Sequence, residues 1–95
     1  MDTKLCDFCN APNPTWMVPV APFNFLGGRS VDEWLACTPC ADLVRAGLWN
    51  RLLARVIEAW DRQHDTPMNA EMIEIMRTTY KKLRKNVDGP PVRLL

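Results

Sequence analysis

From position 48 onward, apolar side chains return at helical spacing. Leu48, Leu52, Val56 and Trp60 are four residues apart, and Trp49, Leu53 and Ile57 run beside them. On a helical wheel these positions cover about half the circumference. Arg51, Arg55, Glu58 and Arg62 fall on the other side, with Glu58 placed to pair with Arg55 and Arg62. So broad an apolar face predicts a helix that touches two neighbours, the segment before it and a last helix after it. His64-Asp65-Thr66-Pro67 breaks the pattern, with Thr66 as N-cap and Pro67 as the first helical residue. A narrower stripe of Met72, Ile73, Met76, Tyr80 and Leu83 then predicts a helix to about Asn86. A link this short predicts an antiparallel helical hairpin.

Before position 48 that period is missing. Trp16-Met17-Val18 and Val20 have strand composition, but Pro19 limits them to an edge or a short strand. PFNFLGGRS reads as a loop with a Gly27-Gly28 turn. Glu33–Ala36 reads as the returning strand, although Ser30 and Glu33 also fit the capping box of a short helix. Thr38-Pro39 looks like an N-cap with proline at the first helical position, and that helix should end at Gly47. After Asn86, VDGPPVRLL reads as an extended tail. The expected organisation is a module over residues 1–47, a helical hairpin over 48–86 and a tail over 87–95. With 95 residues these should form one compact domain of small α+β class.

Composition narrows the function classes. Hydrophobic residues at 47% and charged residues at 24% are ordinary for a globular chain. A net charge of +1 makes no global electrostatic case for nucleic acid or membrane binding. No apolar run is long enough to span a bilayer, and MDTKLCDF lacks a secretory h-region. A cytoplasmic location is therefore expected. Reducing conditions there argue against structural disulfides.

All four cysteines lie in two pairs, Cys6-x-x-Cys9 and Cys37-x-x-Cys40, separated by 27 residues. A Cys-x-x-Cys turn directs two thiolates at one point, and two such turns supply the tetrahedral four-sulfur shell that zinc accepts. Asn10 directly follows the first pair, and Asn tolerates the left-handed backbone that closes such a knuckle. The second pair flanks a predicted helix start, where backbone N–H groups favour thiolate. One structural zinc ion held by Cys6, Cys9, Cys37 and Cys40 is the leading reading. Zinc is preferred over an iron–sulfur cluster on the paired spacing. The rival is a redox pair at CTPC, but a thioredoxin-like βαβ framework is missing around it.

The knuckle CDFCNAP, a predicted hairpin, and a second pair opening a helix in WLACTPCADLVRAG resemble a treble-clef zinc finger, close in pattern to a zinc ribbon. The arrangement also resembles small uncharacterised zinc-binding proteins of bacteria and their phages. The resemblance covers roughly residues 4–47. It implies a structural metal and a surface for protein or nucleic acid, and does not choose between them.

A closed four-cysteine shell leaves no open coordination position, and His64 is the only histidine, with no nucleophile or metal partner evident. A non-enzymatic interaction protein is expected, without a small-molecule substrate. Its leading partner is a protein, in the manner of a phage or mobile-element factor acting on a host machine. Phe23 and Phe25 are the candidate contacts on an exposed loop. Phe8 is also read as solvent-facing, Met68, Met72 and Met76 as packing inside the hairpin, and Leu94-Leu95 as a docking tail. The alternative is a nucleic-acid-binding regulator using Arg77, Lys81, Lys82, Arg84 and Lys85, which equally suit a helix C-terminus. From Glu71 onward six bases face three acids, whereas the first forty residues hold four acids and two bases. A thiol–disulfide redox protein is the third reading. The broad stripe over 48–60 leaves oligomeric state open.

Overall fold

The computed structural model describes residues 4–25 and 28–94. Strand β1 (Trp16–Val18) is followed by β2 (Phe23–Phe25), β3 (Gly28–Ser30) and β4 (Trp34–Ala36). Helices α1 (Thr38–Arg45), α2 (Trp49–Gln63) and α3 (Ala70–Asn86) come next, and β5 (Val92–Arg93) lies near the end. The class is small α+β with short antiparallel strands.

β1 is the middle strand of a three-stranded sheet in the order β4-β1-β5. Trp16 faces Ala36 on one side and Arg93 on the other. Pro19 has no N–H to donate, so β1 stops at Val18. The tail is extended as expected, but it is tied down along its length. The Ala21 amide donates to the Asn86 carbonyl at 2.8 Å, Asp88 to Pro19 at 2.8 Å, and Leu94 to Thr15 at 2.8 Å. These bonds cover the edge of β1 that would otherwise be unpaired. Leu95 lies outside the described residues.

Within PFNFLGGRS, Phe23–Phe25 and Gly28–Ser30 are strands rather than loop. Phe23 pairs with Ser30, Asn24 with Arg29 and Phe25 with Gly28 in a separate antiparallel hairpin, β2-β3. Leu26 and Gly27, the first glycine of the expected Gly27-Gly28 turn, lie outside the described residues. Phe23 is buried and Phe25 half-buried against it, with ring centroids 5.9 Å apart. The pair therefore lacks the exposure that the sequence reading assumed. The same hairpin places Ser30 to accept from the Trp34 indole N–H at 3.0 Å, which favours β4 as a strand over the capped-helix alternative.

Helix α1 starts one residue earlier than read, with Cys37 rather than Thr38 as the N-cap. The Thr38 hydroxyl instead accepts from the Trp16 indole N–H at 3.2 Å. The helix ends in the expected way: Ala46 caps it and Gly47 adopts φ +71°. A Cβ at Gly47 would meet nothing within 4 Å, so only the left-handed backbone opposes a side chain there. Gly47→Ala should cost about 1–2 kcal/mol. A thermal melt should show this as a Tm lower by roughly 5–10 °C, and an unchanged Tm would contradict the capping role.

α2 packs on both α1 and α3, burying Leu52, Leu53, Val56 and Ala59. Helix α3 begins at Ala70, not at Thr66-Pro67. The Asn69 side chain accepts from the Met72 amide at 2.8 Å, and Asp61 on α2 holds the Met68 amide at 3.0 Å. Asn69 is the better cap because its oxygen reaches the free amide at the third helical position. Tyr80 and Leu83 are the buried residues of α3. Of the three methionines, Met68 is buried, Met76 half-buried and Met72 exposed. No described helix is long and apolar enough to cross a membrane.

Candidate metal centre

The four sulfurs come from two backbone devices. In the first, the Asn10 amide donates to the Cys6 carbonyl at 3.0 Å and the Cys6 amide to Ala11 at 2.8 Å. Asn10 itself has φ 65°, the left-handed turn expected of it, and the Cys9 amide lies 3.5 Å from the Cys6 Sγ. In the second, β4 delivers Cys37 to the start of α1, and Cys40 sits in that helix's first turn. Asp7 clamps the two together. Its amide donates to the Leu35 carbonyl at 2.8 Å, and its carboxylate accepts from the Leu35 amide at 2.7 Å.

The cysteines are free and buried, and their Sγ atoms all lie within 4.8 Å of one another. Cys9 Sγ and Cys37 Sγ are 3.6 Å apart. A tetrahedral ion with metal–sulfur bonds of about 2.3 Å would set its sulfurs about 3.8 Å apart. The donor set therefore fits a single metal ion. The Cys40 thiol's hydrogen bond pulls the Cys6 thiol down to about 4, against burial. The same bond, with burial, pushes Cys40 up. Burial likewise pushes Cys9 up.

One group at this site has no counterpart in the sequence reading. Arg55 does not pair with Glu58, which takes Arg62 instead at 3.0 Å. The Arg55 guanidinium points inward, with Nη2 3.8 Å from Cys37 Sγ and 3.9 Å from Cys9 Sγ. Hydrogen bonds to Cys40 and then Cys37 raise its pKa above the usual arginine value. Its Nε is buried with no hydrogen-bond partner among the described residues. Farther along α2, Gln63 donates to the Cys9 carbonyl at 3.2 Å. Helix α2 thus carries a cation to the thiols and a brace to the first knuckle.

Aromatic rings close one side of the centre. Phe8 is 5% exposed, not solvent-facing; its ring lies 5.2 Å from Trp34 and 5.9 Å from Tyr80. Trp16 is set apart from that cluster, with Arg45 4.8 Å from its ring centroid and Arg93 5.8 Å. His64 is exposed at the end of α2, stacked on Trp60 at 3.7 Å.

The basic cluster of α3 is exposed and divides between two faces. Arg77, Lys81 and Arg84 turn toward α2. There they line a cavity of about 130 Å³ with Trp49, Asn50, Leu53 and Tyr80. A second cavity of about 150 Å³ adjoins it, lined by residues 47–51 and Arg84. Lys82 faces the other way, into a cavity with Phe25, Glu71 and Glu74. Lys85 lines neither face's cavities. Compared with family models, curated proteins and solved structures, the chain matches none, so its chemistry has to be read from these side chains.

Proposed function

We propose that the chain is a non-enzymatic interaction module, held together by one structural zinc ion in a treble-clef-like setting, that binds a polyanionic macromolecule through the α2–α3 face. Four thiolate donors in a closed shell support zinc and a structural role. A knuckle, short antiparallel strands and a second cysteine pair opening a helix support the treble-clef likeness. The observation that carries the binding reading is the lining of the two adjoining cavities. Arg51, Arg77, Lys81 and Arg84 surround them and no carboxylate does. A uniform sign of charge in a recess concentrates its field on an anionic partner, even in a chain of net charge +1.

Charge reversal tests this. Lys81→Glu with Arg84→Glu, both at exposed positions, should lower affinity for mixed nucleic acid at least 10-fold and flatten its salt dependence. Unchanged affinity and slope would remove this face as the contact.

A protein partner is the second reading, and one observation favours it. A cavity of about 220 Å³ beside the first knuckle is lined by Phe8, Trp60, Met68, Met72 and Met76. Adaptable thioethers around aromatic rings suit an apolar side chain from a partner.

A further inference from the structure

We infer that the α2–α3 face takes single-stranded nucleic acid, with a base stacked on Trp49 and neighbouring phosphates on Arg51, Lys81 and Arg84. The inference rests on the polyanion reading above and names the class of strand.

The placement follows from sequence spacing. Positions 77, 81 and 84 fall on one face of α3. Packing of α2 against α3 brings the first turn of α2, with Trp49, Asn50 and Arg51, alongside them. The two cavities share Trp49, Asn50 and Arg84, so they lie side by side along the α2–α3 face. Trp49 lies at the junction, set edge-to-face with Tyr80 at 6.4 Å and 75°. Tyr80 is buried, so the indole is oriented by the core before any ligand arrives.

Size, ring and charge together select the ligand. At about 130 and 150 Å³ the cavities are well below the roughly 300–1,000 Å³ of small-molecule sites. Each suits one base or one phosphate of a longer chain. A held aromatic ring among cations is the arrangement that binds single strands, because every unpaired base offers a π-face. A duplex keeps its bases stacked inside and would meet only the outer guanidinium and ammonium groups. Arg77 is already engaged by Glu74 on its own helix. Of the cations lining the two cavities, Arg51, Lys81 and Arg84 have no ion pair among the described residues.

The test is fluorescence anisotropy of the metal-loaded full chain with labelled oligothymidine, oligouridine and a duplex of equal phosphate count. Single strands should bind more tightly than the duplex. Trp49→Ala should weaken them roughly 5- to 100-fold and Trp49→Phe much less. Lys81→Gln with Arg84→Gln should shrink the salt slope by about 1–2. Equal affinity for duplex, or a Trp49→Ala loss under twofold, overturns the stacking while the charge-reversal result still supports the polyanion face. Absence of binding to any of the three ligands overturns both. Because Trp49 also touches Tyr80, the contact is read independently in the unsubstituted chain. Photocrosslinking to oligo-5-bromouridine should place the adduct on Trp49, and adducts confined to other residues would overturn the inference.

Discussion

Cys40→Ser should unfold the protein under conditions where the unsubstituted chain is folded. Cys6 and Cys40 are fully buried, and their sulfurs join the first knuckle to α1. The strands around them are three residues long, too short to be stable by pairing alone. A structural four-thiolate ion contributes on the order of 10–16 kcal/mol of apparent folding free energy. Domains of this size have a net stability of about 5–15 kcal/mol. Loss of the shell therefore exceeds or matches everything the fold has in reserve. The helical hairpin should not survive alone, because Tyr80 would lose Phe8 and Trp34 from its ring cluster. The checks are metal content by mass spectrometry and thermal melts by circular dichroism. The unsubstituted chain should hold about one ion and lose its cooperative melt when a strong chelator removes it. A Cys40→Ser chain that melts cooperatively within about 1 kcal/mol of the parent would contradict the structural role.

Which parts of this could be read in advance depends on how local their causes are. The knuckle at Asn10, the end of α1 at Gly47 and the last residue of α3 follow from neighbouring residues, and all were readable. The β2-β3 hairpin was not. Each strand has three residues, too few to show alternation, and burial of Phe23 depends on α3 lying across β2. Pairing of the tail with β1 joins residues far apart in sequence, which no local pattern reports. The start of α3 was misplaced because two cap signals lie three residues apart, and the Asp61 bond to Met68 is a tertiary contact. At the centre, the cysteine spacing announced the cluster of four thiols, and Asp7 and Gln63 gave no comparable signal.

Arg55 shows the remaining limit, and its replacement should have the second largest effect. The wheel that places every charge on the solvent side treats Arg55 as solvated. Yet at about 100° per residue Arg55 lies only about 40° from Ala59 and 60° from Leu52, both buried. A long side chain at the rim of the apolar arc turns inward when something there needs its charge. Four thiolates around a divalent ion would carry a net charge of −2, and burial makes that costly. The guanidinium, 3.8 and 3.9 Å from two of the sulfurs, would offset half of it. Arg55→Met keeps most of the stem and removes the cation. Metal affinity, measured by chelator competition, should fall about 10- to 100-fold, the usual cost of removing a group that supports the ligands. Arg55→Lys should lose less, since one ammonium supplies the charge without the two-sulfur fork. Arg55→Glu should lose most, because it adds a third negative charge beside the shell. The ordering Lys, then Met, then Glu separates electrostatics from packing, because a packing role would rank Met as mildest. An affinity for the Met variant within twofold of the parent would show that the thiolates need no counter-charge from α2.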